Sequence, residues 1–123
     1  MLKILFTAII FVPLAGAAPI WAGDLEAGRK LYAQCRACHE LEAGKNKVGP
    51  SLHGMFGRKS GTLEGFKFSP AMTKAEIVWD DATLSDYLAD PLGYIKGSRM
   101  AYMGLKDSQQ RADVIAFLRQ ATK

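Results

Sequence analysis

The chain has 123 residues, of which 49% are hydrophobic, and it carries 16 Lys and Arg against 12 Asp and Glu, a formal net charge of +4. This length is enough for one domain. The modest positive charge permits an acidic protein partner. No run of basic residues with interleaved aromatic residues occurs, so we expect no nucleic-acid binding.

The start of the chain has the pattern of an export signal. Lys3 provides a positive charge, residues 4–14 are almost wholly apolar, and small residues follow. This order is typical of a secretory signal peptide. We therefore expect residues 1–22 to be removed by cleavage after Ala22, and residues 23–123 to form the mature domain.

Two other interpretations of this stretch remain open. The signal can instead be cut after Ala17 or Ala18. The stretch can also stay as a membrane anchor, because residues 4–23 contain no charge. Pro13 and Pro19 weaken a transmembrane helix there, which favours the cleaved signal.

The first predicted helix begins after Asp24, a residue type that caps helix N-termini. Gly28 lies on its apolar face, although a glycine in a helix interior costs about 1 kcal/mol relative to alanine. Its presence predicts a close helix crossing, with a frayed first turn as the alternative. The apolar residues at helical spacing are Leu25, Leu31, Tyr32 and Cys35.

The segment Cys35-Arg36-Ala37-Cys38-His39 contains both cysteines and one of the two histidines. This spacing is the attachment signature of c-type haem. Each thiol can form a thioether with one vinyl group of the porphyrin, and the His39 imidazole can ligate the iron. A redox disulfide is an alternative, but it expects a thioredoxin-like βαβ context. A zinc site is another, but His53 lies outside the usual finger spacing.

Residues 40–70 are rich in glycine and lysine and show no sustained periodicity. An irregular loop of this length is unusual unless it wraps a large ligand. Within it, the Pro50 carbonyl can accept the N–H of His39 that does not face the iron. His53 is expected to be a surface or packing residue of this loop.

Two further helices have clear start signals. Ser69 and Pro70 form an N-cap and a first helical residue, and this short helix is expected to run to about Lys74. The last helix, about Asp107 to Gln120, has the clearest periodicity in the chain. Its apolar face contains Val114, Ile115, Phe117, Leu118 and Ala121.

Another helix is predicted between these two, over Ala82–Ala89, and its stop signal is Pro91. Asp80 or Asp81 caps it. Its buried stripe is formed by Leu84, Tyr87 and Leu88. Residues 93–105 are expected to be irregular, and no strand pattern is evident. The fold class is therefore all-α, with about four or five short helices and long loops wrapping one covalently bound haem.

Taken together, the domain resembles a class I cytochrome c, close to the mitochondrial protein and its soluble bacterial cytochrome c2-like relatives. The resemblance spans residues 23–123 and extends well beyond the haem motif. It includes these residues: Gly28, Tyr32, Gly49-Pro50, Leu52-His53-Gly54, Phe56-Gly57-Arg58, Trp79, Tyr87, Pro91, Tyr94-Ile95, Gly97-Ser98-Arg99-Met100 and Phe117-Leu118.

This resemblance implies a ligand set and a haem pocket. Met100 would be the sixth iron ligand, opposite His39; from the residues alone, Met103 remains a rival. Pro50 would orient His39, and Tyr87 would form a hydrogen bond near the Met100 sulfur. Support of the pocket is implied for Pro50, Leu52, Arg58, Trp79 and Tyr87, with Arg58 and Trp79 serving a buried propionate.

Several residues depart from the family pattern. Lys96 replaces the proline usual before the ligand turn, so that loop is expected to be less rigid. Gln34, Leu92 and Gly93 stand where relatives place docking lysines, while Lys47, Arg99 and Lys106 remain as the cations expected around the haem edge. The positive ring around the haem edge should therefore be thinner than in the mitochondrial protein.

The implied function is that of an exported, soluble electron carrier of the periplasm, which takes part in an electron transport chain such as a respiratory chain. His39 and Met100 would fill both axial sites of the iron, which argues against catalysis. The expected partners are redox proteins: a cytochrome c reductase or dehydrogenase as donor, and an oxidase or reaction centre as acceptor. We expect a monomer without stable membrane insertion. An enzyme with open iron and a haem-free thiol protein are the competing functions.

Overall fold

The computed structural model describes residues 10–13, 16 and 23–123, and the expected signal peptide therefore lies largely outside the described residues. The described residues form five short α-helices, and a 3-10 turn at Tyr32–Gln34 directly follows the first of them. The helices are α1 (Leu25–Leu31), α2 (Pro70–Ala75), α3 (Asp81–Ala89), α4 (Pro91–Tyr94) and α5 (Ser108–Ala121). Within the same residues the only β-type pairing is an isolated bridge between Lys59 and Val78. The predicted all-α class is confirmed.

The helices begin where the sequence places capping residues. Like α4, the other four helices start after a side chain that accepts a backbone N–H of the first turn, which satisfies a donor that has no partner within the helix. The accepting and donating residues are Asp24 and Ala27, Ser69 and Met72, Asp80 and Thr83, and Asp107 and Gln110. For α3 the structure decides between the two candidate caps in favour of Asp80.

Helices α1 and α5 cross closely at Gly28. A Cβ atom at this position would overlap the backbone carbonyl of Asp113 and would lie 2.9 Å from the Cβ atom of Phe117. The ring centroids of Tyr32 and Phe117 are 5.5 Å apart beside the crossing. The predicted close crossing is confirmed, and the frayed first turn is wrong.

One small core connects the helices. It is formed by hydrophobic side chains of the 3-10 turn, α3, α5 and the loops. Its buried members are Tyr32, Met55, Trp79, Leu84, Tyr87, Ile95, Val114, Ile115 and Leu118. The predicted apolar stripes of α3 and α5 thus face this core, except for Ala121, which is half-buried and lies outside it.

Helix α4 was not expected from the sequence, which assigned Pro91 to the end of α3. Proline also suits the first turn of a helix, because its missing N–H has no partner to lose there. Asp90 completes the start signal, since its side chain accepts the Gly93 N–H at 3.1 Å. Pro91 therefore both follows one helix and opens the next.

Among the described residues, the structure contains no helix with the length and apolarity needed to cross a membrane.

Candidate haem-binding site

The two cysteines and His39 lie on a single helical turn. The N–H groups of Cys38 and His39 both donate to the Cys35 carbonyl, at 3.0 and 2.9 Å. Both thiols are half-buried and neither forms a disulfide. The turn therefore presents two free thiols and an imidazole from one short segment.

The orientation of His39 is fixed by a backbone contact. Its Nδ1 atom lies 2.7 Å from the Pro50 carbonyl oxygen. Because a carbonyl oxygen only accepts, Nδ1 donates, and Nε2 is left with a lone pair that can ligate a metal. Tyr32 adds a second contact, as its hydroxyl donates to the His39 carbonyl at 3.1 Å.

The surroundings of His39 also favour its metal-binding form. Burial lowers the pKa of the imidazole, and the hydrogen bond with Pro50 partly opposes that shift. The neutral ring is the form that ligates metals. Gly49 lies against the ring, and a Cβ atom there would be 2.7 Å from Nδ1, so this position has room only for glycine.

The structure brings Met100 near His39, although 61 positions (100 − 39) separate them in the chain. Met100 is half-buried and packs against the hydrophobic core, as do Cys35 and Leu52. The rival methionine, Met103, is 84% exposed. Of the two, only Met100 therefore faces the interior.

Tyr87 and Ser98 hold the backbone beside Met100. Their hydroxyl oxygens are 3.0 Å apart in a buried hydrogen bond. The Met100 N–H donates to the same Ser98 Oγ at 3.4 Å. Burial raises the pKa of Tyr87 while the Ser98 hydrogen bond opposes that shift, so the phenol stays neutral at ordinary pH.

Arg58 and Trp79 form another wall of the site. Trp79 is buried, and its backbone N–H donates to the Arg58 carbonyl at 3.0 Å. The Arg58 guanidinium is half-buried and donates to the His53 carbonyl at 3.0 Å. Burial lowers the pKa of Arg58, and no ion pair of the described residues includes it. A partly buried cation without a carboxylate partner suits an anionic group of a ligand.

These donors fit haem c. Cys35 and Cys38 could bond the two vinyl groups, His39 Nε2 and the Met100 sulfur could ligate the iron, and Arg58 could pair with a propionate. A zinc site has no comparable support, because the described part of the chain holds no cluster of three His, Cys, Asp or Glu side chains suited to a metal ion.

Other features of the site were not predicted. The Tyr32 hydroxyl and the close approach of Gly49 to the imidazole both depend on tertiary contacts, and only the Gly49-Pro50 dipeptide hinted at a special backbone there. His53, in contrast, is half-buried and its N–H donates to Ser51 Oγ at 3.2 Å, as suits a packing residue.

Comparison with known proteins places these observations in one family. The family profile described as cytochrome c matches residues 25–122. The chain is 54% identical over 88 residues to cytochrome c2 iso-2 of Magnetospirillum fulvum, a match that covers 72% of this chain and 92% of that protein. It is 43% identical over 112 residues to cytochrome c2 of Blastochloris viridis, with coverage of 90% and 88%.

A solved structure agrees with these sequence matches. The fold is similar to that of cytochrome cH from Methylobacterium extorquens, with a TM-score of 0.76 and 42% sequence identity. The match covers 80% of this chain and 99% of the other. The likeness therefore extends over the whole of that domain.

Proposed function

Because this chain belongs to the cytochrome c family, we propose that it is an exported monohaem protein that carries single electrons between redox proteins. Members of this family bind haem c covalently, and Cys35 and Cys38 fit its attachment motif. When bound, haem c supplies an iron that alternates between the ferric and ferrous states. The chain supplies the attachment, the axial ligands and the surroundings that set the potential.

The proposed axial ligands are His39 and Met100. The observation that carries this proposal is the 2.7 Å contact between His39 Nδ1 and the Pro50 carbonyl, which leaves Nε2 to ligate. The half-buried Met100 supplies a soft thioether, which favours the ferrous state. With both positions filled by the chain, no site is left for a substrate, so the protein transfers electrons and does not catalyse a reaction of its own.

The test is an absorption spectrum of protein made in a host with haem-maturation machinery. We expect a haem c spectrum and, in the ferric protein, the weak far-red band of a sulfur–iron bond. Met100→Ala should abolish this band and allow cyanide to bind quickly. Met103→Ala is the matched control and should retain the band, because that side chain is 84% exposed.

Three outcomes would contradict the proposal. A colourless protein would show that the chain binds no haem. Loss of the far-red band in Met103→Ala, with the band kept in Met100→Ala, would reassign the sixth ligand. Rapid cyanide binding by the unaltered protein would favour an enzyme with open iron.

We also propose that residues 1–22 direct export to the periplasm and are cleaved after Ala22. Contacts of Asp24, just after the proposed cleavage site, support this assignment. The Asp24 N–H donates to Asp113 Oδ1 at 2.8 Å, and the Asp24 side chain caps α1. Mass spectrometry of the periplasmic protein should find Gly23 as the first residue. A mature chain that begins near Ala18, or one retained in the membrane, would overturn this assignment.

The proposed partners are redox proteins that meet the domain through a brief contact steered by charge. The cations expected around the haem edge are only partly available for this. Lys47 pairs with Glu40 at 2.7 Å, and Lys106 Nζ donates to the Ala89 carbonyl at 2.6 Å. Arg99 is exposed and belongs to no ion pair of the described residues. It is therefore the cation that we expect to contribute most to steering.

A further inference from the structure

The segment that carries Met100 is irregular and is fixed mainly at its two ends. At the start, the buried Ser98 side chain pairs with Tyr87 at 3.0 Å. At the end, the Leu105 N–H donates to the Leu88 carbonyl at 2.7 Å. We call residues 98–105 the ligand segment. Between its ends, no backbone hydrogen bond joins it to another described element.

A side-chain contact crosses from the middle of the ligand segment to the haem-attachment turn. The Tyr102 hydroxyl donates to Gln34 Oε1 at 3.1 Å, and the two residues are 68 positions apart in the chain. Gln34 directly precedes Cys35, and Tyr102 is two residues from Met100. This hydrogen bond therefore connects the haem-attachment turn with the segment that carries the proposed sixth ligand.

We propose that the Tyr102–Gln34 hydrogen bond is a tether that keeps Met100 in place and so limits how readily an external ligand displaces its sulfur from the iron. The inference rests on the proposed function, since it takes Met100 as the sixth ligand. Tyr102 acts here as a positioning residue, because it acts through the backbone of the ligand segment and is not itself a ligand.

The surroundings explain why one exposed hydrogen bond matters at this place. Gly97 and Gly104 flank the middle of the segment in the left-handed region, at φ 92° and 100°. Lys96 stands before this turn and leaves the backbone freer than a proline would. A segment with glycine near both ends and few backbone contacts opens more easily than the helices around it.

The same contact depends on which side chain stands at position 34. Gln34 supplies the acceptor oxygen, whereas a lysine at this position would have no acceptor for the tyrosine hydroxyl. Glutamine offers an acceptor oxygen at the cost of one positive charge. The identity of residue 34 therefore bears on the retention of Met100.

The experiment measures how fast imidazole replaces Met100 in the ferric holoprotein. The loss of the sulfur–iron absorption band reports the replacement. Tyr102→Phe should raise this rate about fivefold, as expected for the loss of one hydrogen bond. Tyr94→Phe is the matched control, because Tyr94 is 40% exposed and its hydroxyl forms no hydrogen bond with another described residue. It should leave the rate within twofold.

Substitutions at Gln34 test the specific pairing. Gln34→Met removes the acceptor and should raise the rate as much as Tyr102→Phe does, while the double variant should show no further rise. Gln34→Glu keeps an acceptor and should retain the slow rate. A role in general stability alone would not produce this pattern, since it predicts independent effects of the two sites.

The results that would overturn the tether differ from those that would overturn the proposed function. A rate in Tyr102→Phe equal to that of Tyr94→Phe, or additive effects in the double variant, would overturn the tether and leave Met100 as the ligand. Absence of the sulfur–iron band in the unaltered protein would instead overturn the ligand assignment, and with it the basis of the tether.

Discussion

At the scale of single residues, the chemistry of His39 is set by its neighbours. A histidine side chain has two nitrogen atoms that can donate or accept, and the Pro50 carbonyl at 2.7 Å assigns the donor role to Nδ1. Burial holds the pKa of the ring below its usual value, which keeps it neutral. The sequence contains all these residues, but only the folded loop places the carbonyl opposite the ring.

The first prediction concerns Gly49, which lies against the same ring. A Cβ atom at this position would be 2.7 Å from His39 Nδ1, so Gly49→Ala should displace the imidazole from Pro50. We expect a loss of about 1–3 kcal/mol in the free energy of unfolding, which is the usual cost of overpacking. Guanidinium unfolding of the holoprotein measures it.

The neighbouring position provides the control for this variant. Val48 is 82% exposed, so Val48→Ala should leave the free energy of unfolding nearly unchanged. A Gly49→Ala protein as stable as Val48→Ala would show that the imidazole has room to shift, contrary to this prediction.

At the scale of elements, the crossing of α1 and α5 joins the two ends of the domain. The Asp24 N–H donates to Asp113 Oδ1 at 2.8 Å, and Asp113 also accepts from Gln109 Nε2 at 2.9 Å. Asp113 is buried, so these hydrogen bonds satisfy a carboxylate that would be costly without partners. The crossing therefore combines apolar packing with a specific polar contact.

The second prediction follows from the close approach at Gly28. In an open helix, Gly→Ala stabilises by about 1 kcal/mol. Here the added Cβ would overlap the Asp113 carbonyl and contact Phe117, so Gly28→Ala should instead destabilise the protein by about 1–3 kcal/mol. Lys30→Ala, an exposed site on α1, is the control and should change little. A more stable Gly28→Ala protein would mean that the helices separate without cost.

Most helix starts could be predicted from the sequence because capping is a local interaction. Ser69 and Met72 are three residues apart, as are Asp107 and Gln110, so the donor and acceptor are visible in the chain itself. Helix α4 was missed because Pro91 is both a stop signal and a start signal, and a helix of four residues has no periodicity to detect.

At the scale of the whole molecule, the protein core is small for the length of its loops. In the described part of the chain, nine buried hydrophobic residues form it, and residues 35–69 contain no helix. A domain of this size buries a modest fraction of its surface. The hydrophobic surface of a bound haem therefore contributes a substantial part of the stability, at about 25 cal/mol for each Å² removed from water.

The third prediction is that the chain without haem is largely unfolded. The double variant Cys35→Ser, Cys38→Ser prevents covalent attachment, and its far-UV circular dichroism should lack most of the helical signal of the holoprotein. A fully helical spectrum at the same temperature would show instead that the protein core is sufficient without the cofactor.

The fourth prediction concerns the charge around the haem edge. Oxidation of the ferrous protein by ferricyanide, an anion, should slow as salt rises from about 10 mM to about 500 mM, because screening shortens the range of attraction. Arg99→Gln should weaken this salt dependence more than Lys47→Gln, since Glu40 already offsets the Lys47 charge. A rate that is independent of salt would contradict electrostatic steering.

The sequence by itself determined the all-α class, the capped helix starts, the glycine crossing and the attachment motif, because each depends on residues close together in the chain or on periodicity. The sequence suggested the contact between the Pro50 carbonyl and His39, and it left Met103 as a rival of Met100. Only the tertiary structure gives the geometry of that contact, packs Met100 rather than Met103 against the core, and brings Tyr102 to Gln34. These contacts involve irregular segments, where no repeating sequence pattern specifies which way a side chain points. Their geometry follows from how the loops close around the core, and it is therefore fixed only when the whole domain has folded.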